Sequence, residues 1–133
     1  MARKIGRREL PAGKISEAFL DFAQPLLDCA PNRITKEQIE KCMMFAFTVW
    51  NSVVYDSVNG NSKYVTKIRR LLAKDVEAAL LLEGMISRKK ELFGDDFRLI
   101  GEYKITKKFG GWNFRVEARD PWSIKSGNEQ EEQ

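Results

Sequence analysis

FRLIGEYKITKKFGGWNFRVEAR, residues 97–119, breaks with the periodicity of the rest of the chain. Phe97, Leu99, Tyr103 and Ile105 alternate with Arg98, Glu102 and Lys104; after Phe109-Gly110-Gly111, Trp112, Phe114, Val116 and Ala118 alternate with Asn113, Arg115, Glu117 and Arg119. Side chains two positions apart share one face of a strand, and glycines tolerate the backbone angles of a tight reversal. The stretch therefore reads as an amphipathic antiparallel hairpin. Two strands alone are marginal in water, so its apolar face needs a layer of helices to rest on. Its edges either stay exposed or pair with a second copy, which makes a homodimer joined at the hairpin an expectation of the sequence.

Upstream the apolar residues recur at helical spacing. Ile15, Phe19, Phe22 and Leu26 form one face, with Ser16 as the expected N-cap and Ile15 and Leu20 as its hydrophobic staple. Pro25 removes a backbone donor and clashes one turn back, so a kink near Phe22 or a break before Pro31 is expected. Thr35 and Gln38 form a capping box, flanked by Ile34 and Ile39, and open a helix whose apolar set runs Cys42, Met43, Ala46, Val49, Trp50, Val53 and Val54. Met44, Phe45 and Phe47 fill much of its other side. The stretch from Cys42 to Trp50 reads first as core packing and second as a groove for a partner helix.

Asp56 to Ser62, with Asn59-Gly60-Asn61, reads as a turn. Val65, Ile68, Leu72, Val76, Ala79, Leu82 and Ile86 then keep a helical repeat up to Phe93-Gly94, where the glycine suits a C-terminal cap. One helix over residues 62–93 would be unusually long, and a break near Lys74-Asp75, with Asp75 as a second N-cap, is the favoured reading. Gly84, inside this pattern, is destabilising by about 1 kcal/mol relative to alanine.

Together these elements predict an α+β fold, a bundle of three or four helices with a C-terminal antiparallel hairpin packed against it. A chain of 133 residues, 43% of them hydrophobic, closes one core, so residues 15–122 are read as a single domain. Residues 1–14 form a basic tail with Arg3, Lys4, Arg7, Arg8 and Lys14 against Glu9, and residues 123–133 an acidic tail with Glu129, Glu131 and Glu132. Neither a signal-peptide apolar region nor a run long enough for a bilayer follows the basic start, so the expectation is a cytoplasmic protein without a membrane partner.

The sequence contains no histidine and only two cysteines, Cys29 and Cys42, which removes the side chains that most often carry acid-base, nucleophilic and metal chemistry. The cysteine spacing fits neither a metal motif nor a disulfide framework. No catalytic, cofactor or metal site is expected. The one enzymatic route left open is carboxylate-only magnesium chemistry at Asp95 and Asp96 with Glu91 or Glu102, and adjacent aspartates after a glycine more commonly form a solvated turn.

Function is therefore read from surfaces. The first reading is a small interaction or assembly module that binds a protein partner, or a second copy, through its hairpin or a helical groove. The alternative is nucleic-acid binding: Lys104, Lys107, Lys108, Arg115 and Arg119 as a positive strip beside Trp112, aided by Arg7 and Arg8 of the N-terminal arm. The formal net charge of +4 is too modest to decide between them. The Arg88-Lys89-Lys90 cluster also suits the negative end of a helix.

Overall fold

Four helices precede one hairpin in the computed structural model, which describes residues 14–28, 35–108 and 111–122. The elements are α1 (Ile15–Asp28), α2 (Lys36–Asn59), α3 (Lys63–Leu72), α4 (Val76–Leu92), β1 (Leu99–Lys108) and β2 (Gly111–Arg119). The strands pair antiparallel and rest on the helices, the α+β arrangement that the change of period predicts. Residues 62–93 form two helices, and the Asp75 carboxylate accepts from Ala78 N at 3.1 Å to cap the second. The Phe109-Gly110 turn and both tails, Lys14 excepted, lie outside the described residues.

α2 is the central element. Its capping box is present in both directions, with Gln38 N donating to Thr35 Oγ1 at 3.1 Å and Thr35 N donating to Gln38 Oε1 at 2.9 Å. Met43, Ala46, Val49, Trp50, Val53 and Val54 are buried along it, while Met44 is exposed. The helix runs through Asp56 to Asn59 and stops at Gly60, whose φ of 69° is the left-handed conformation that glycine adopts without strain. The turn is thus shorter than the expected Asp56–Ser62. Asp56 serves the next helix instead: its buried carboxylate accepts from Tyr64 N and Val65 N at 3.0 and 2.9 Å, while Ser62 makes no side-chain cap bond. These are first-turn donors with no partner inside their own helix, so an acceptor on α2 ties the start of α3 to the core.

α1 departs from the expectation at Ser16, and of the two outcomes expected at Pro25 the break does not occur. Ser16 lies inside the helix, and its hydroxyl bridges to β2, accepting from Val116 N at 3.0 Å and donating to Val116 O at 3.4 Å. The tertiary bond has taken the side chain expected to cap the helix. Pro25 neither breaks nor ends α1, which continues to Asp28. The reason lies on α4. A proline at position 25 leaves the Asp21 carbonyl without its intrahelical donor. Arg88 Nη2 donates to that carbonyl at 2.7 Å, and Arg88 Nε donates to Phe22 O at 3.0 Å.

The hairpin is fastened to the bundle at its other edge as well. Asn51 on α2 acts as a strand partner for Ile100, its Oδ1 accepting from Ile100 N at 2.8 Å and its Nδ2 donating to Ile100 O at 2.9 Å. Trp50 Nε1 donates to Arg98 O at 2.7 Å immediately before β1. The register shifts between Ile100 and Glu102, a bulge at Gly101, and a Cβ there would collide with the Arg119 side chain lying across it. One apolar cluster draws on all six elements, and at its centre Phe22 meets the Trp50 ring edge-on at 5.4 Å, with Phe93 5.6 Å from Trp50.

Candidate functional site

The basic residues singled out by the sequence go to different places. Register pairs Lys104 with Arg115 and Glu102 with Glu117 on the outer face of the hairpin, so two bases and two acids alternate there. Lys107 is paired with Trp112, sharing the face that holds Ile105 and Phe114, and its Nζ stands 5.7 Å from the Trp112 ring centroid. It is on the opposite side from Lys104 and Arg115, because its parity follows Ile105. The expected strip of five bases beside Trp112 is therefore divided between two faces: Trp112 packs against the core cluster, and Arg119 lies across Gly101. Of Lys108 only the backbone, paired with Gly111, is described, and Arg7 and Arg8 lie outside the described residues.

The Arg88-Lys89-Lys90 cluster divides in the same manner. Arg88 holds α1, Lys90 is exposed, and Lys89 is 2% exposed beneath the end of α4. Its Nζ donates to Phe93 O at 2.6 Å and to Asp96 O at 2.9 Å and sits 4.3 Å from the Trp50 ring centroid. Beside it Arg98 donates from Nε and Nη2 to the Asp96 carboxylate at 2.9 and 2.6 Å, both side chains being buried. Sequence alternation put Arg98 on the wet face; the strand starts one residue later, and Arg98 turns inward to Asp96. With Asp96 held by Arg98, the acid pair proposed for magnesium has one member occupied, and among the described residues no group of three or more His, Cys, Asp or Glu is placed to hold a metal ion.

Burial, with a smaller contribution from Arg98, pushes the Lys89 ammonium down to about 8, against the opposing pull of Asp96 and Asp95. The unfolded lysine titrates near 10.4, so between about pH 8 and 10.4 the unfolded chain binds the extra proton and stability from this group rises with pH. At neutral pH the folded state carries the penalty of the buried charge. Relative to a Lys89→Met variant, the wild-type protein is expected to gain about 3 kcal/mol between pH 7.5 and 10.5 in urea denaturation. A constant difference across that range would show that Lys89 keeps an ordinary pKa.

The exposed apolar residues converge on α3 and α4. Leu71 is 74% exposed, Val76 70%, Leu80 69% and Leu92 61%. At 100° per residue, Leu80, Gly84, Ser87 and Glu91 stand opposite the buried Leu82, Met85, Ile86 and Lys89. Val76, expected in the core stripe, belongs to this outer side. One groove of about 430 Å³ runs between α1 and α4, with Pro25 on one wall and Leu80, Leu81, Gly84, Arg88 and Leu92 on the other. A second, of about 350 Å³, lies between α2 and α3 and is lined by Met44, Phe45, Thr48, Val49, Ile68 and Leu71. It is the groove that the Cys42–Trp50 stretch raised as its second reading. Trp50 itself is wholly buried and takes no part in a surface.

No protein-family model matches this chain, and no curated protein and no solved structure matches it either. Its chemistry stands on its own residues. Among those described, no helix is long and apolar enough to cross a membrane, and no buried side-chain nitrogen or oxygen lacks a partner. The buried polar groups are therefore already used by the fold, and the outer leucines of α3 and α4 are the large features the fold leaves unused.

Gly84 is the odd residue of that surface. Among the described residues a Cβ added there meets nothing within 4 Å, so none of them requires the glycine. Gly84→Ala is expected to raise stability by about 0.5–1 kcal/mol through helix propensity and a less flexible unfolded chain, read as a higher urea midpoint. A lowered midpoint would mean that the α4 backbone at this position is not helical in solution.

Proposed function

We propose that this chain is a small non-catalytic interaction or assembly module of the cytoplasm, binding a protein partner through the apolar outer surface of its helices. The observation that carries the reading is the exposure of Leu71, Val76, Leu80 and Leu92, each more than 60% exposed on two consecutive helices, with Leu71 lining one apolar groove and Leu80 and Leu92 the other. Scattered exposed leucines are ordinary, whereas large apolar side chains grouped beside a groove mark a surface that another molecule covers. The absence of histidine from the sequence fits a role that needs no proton transfer.

Pairing of a second copy along the hairpin edges is the other form this module takes in principle, and it draws only on the parts of those edges that Ser16 at Val116 and Asn51 at Ile100 do not already hold. The nucleic-acid alternative draws less support from the geometry. Lys104 and Arg115 share the outer face with Glu102 and Glu117, and that alternation cancels the field a phosphate backbone requires.

A tagged bait incubated in cytoplasmic extract at physiological salt, with and without nuclease, tests the reading. Retention of the same proteins after nuclease, and their loss when Leu80 and Leu92 are replaced by lysine, is the expected result. Recovery that disappears with nuclease would overturn it in favour of nucleic acid.

A further inference from the structure

The α1–α4 groove has a charge pattern of its own. On α1, Asp21, Pro25 and Asp28 follow one line of the helix at spacings of four and three, so both aspartates flank the proline that forms the groove wall. Arg88 is committed to Asp21, its Nη2 lying 3.4 Å from Asp21 Oδ1 as well as on the backbone carbonyl, so the one cation that lines the groove among the described residues is neutralised. Asp28 remains, exposed, on the α1 side. On α4, Glu77 and Glu91 lie seven residues either side of Gly84, two turns away in each direction and on the same outward face, and both are exposed. The apolar groove thus has Glu91 in its lining, with Glu77 and Asp28 farther along the helix lines that carry Gly84 and Pro25, on a chain whose net charge is positive.

This arrangement argues against a second copy in the groove. A two-fold axis through Gly84 would set Glu77 of each chain against Glu91 of the other, two like-charge contacts at the ends of the helix pair. It favours a segment with apolar residues along one face and cations beside them. The floor at Gly84 offers room for a closely approaching helix, and no described neighbour accounts for the glycine.

We propose that the α1–α4 groove docks a basic amphipathic helix of a partner protein, its apolar residues seated over Gly84 between Leu80, Leu81 and Leu92 and its lysines or arginines meeting Glu77, Glu91 and Asp28. The inference rests on the reading of the helical surface as the docking surface, and adds the chemistry of the occupant.

The test uses a fluorescent helical peptide of about 18 residues built from leucine and lysine, and its counterpart with glutamate for lysine, titrated with the full chain and followed by anisotropy. The leucine–lysine peptide is expected to bind at least about tenfold more tightly than the leucine–glutamate one. Gly84→Leu places its Cβ in open space and extends an apolar side chain into the groove, so it is expected to keep the thermal unfolding midpoint of the wild type or raise it while weakening the peptide at least about tenfold. Glu77→Lys with Glu91→Lys is expected to reverse the preference between the peptides. Equal affinity for both peptides, or binding indifferent to Gly84→Leu, would overturn the proposal. Sedimentation of the chain alone separates the two levels of the argument. A dimer that Gly84→Leu dissociates would replace the basic helix by a second copy and leave the docking surface standing. Binding of extract proteins that is indifferent to both Gly84→Leu and Leu80→Lys would remove the surface and, with it, the occupant.

Discussion

Replacing Arg88 with alanine is expected to lower stability by about 3 kcal/mol in urea denaturation, and by only about 1 kcal/mol when Pro25 has also been replaced by alanine. Pro25 sits three residues before the end of α1 and cannot donate to the Asp21 carbonyl. The guanidinium reaches that carbonyl at 2.7 Å and the next one, on Phe22, at 3.0 Å. Hydrogen bonds from a charged donor contribute about 1.5–3 kcal/mol each, and part of that is lost to water returning at this half-exposed edge. In Pro25→Ala the restored N–H supplies the Asp21 carbonyl from within the helix, so the two residues cease to depend on one another. An identical loss in both backgrounds would show that Arg88 acts only by packing. Arg88→Lys is expected to recover little, since an ammonium lacks the fork that spans two successive carbonyls.

Asp96→Ala is expected to be at least as severe, about 3–5 kcal/mol, because it strips a buried guanidinium of the carboxylate that takes its Nε and Nη2. The same carboxylate accepts from Arg98 N at 3.1 Å and fixes the bend between α4 and β1. Its loss would also loosen the Asp96 carbonyl that receives Lys89. Asp96→Asn keeps one acceptor oxygen for the backbone and is expected to lose about half as much. A drop below about 1 kcal/mol for the alanine variant, measured by the shift of the urea midpoint at constant slope, would contradict a closed ion pair at this joint.

Where the determinants are local, the fold is legible. Thr35 and Gln38 announce α2 through three residues of chain, and Asp75 divides α3 from α4 in the same manner. The hairpin is declared by alternation, because the period of two requires no knowledge of what lies beneath it. Distant partners made the other residues harder to read. Ser16 carries the marks of an N-cap, and only the position of Val116, 100 residues later, shows why its hydroxyl is used elsewhere. Pro25 reads as a kink or a break, and only Arg88, which reaches the Phe22 carbonyl from 66 residues away, shows how the helix carries on past it. Asp56 stands three residues before Asn59-Gly60 and looks like part of their turn, whereas its carboxylate reaches forward to Val65.

The candidate surface was legible in part. α4 is apolar on too many sides for one stripe, and the helical repeat through Val76, Ala79, Leu82 and Ile86 does not say which of its members face water. Val76 lies outside and Leu82 inside because the chain reverses at Ala73-Lys74-Asp75 and α4 leans on α2 and α1. Where the basic residues go was not legible for a related reason. Three consecutive cations on α4 point in three directions around the helix, and one of them, Lys89, finds a cage of two carbonyls and an indole that the sequence does not announce. Lys107 differs from Lys104 by an odd number of residues, which alone puts them on opposite faces of the strand.

The central claim is that partners meet the helices and not the hairpin's charged face. It is tested most directly by capturing nuclease-treated extract side by side on two double variants, Leu80→Lys with Leu92→Lys and Lys104→Glu with Arg115→Glu, after confirming that each melts like the wild type. The account predicts that the leucine variant loses the proteins held by the wild type and that the hairpin variant keeps them. Loss on the hairpin variant with retention on the leucine variant would contradict it.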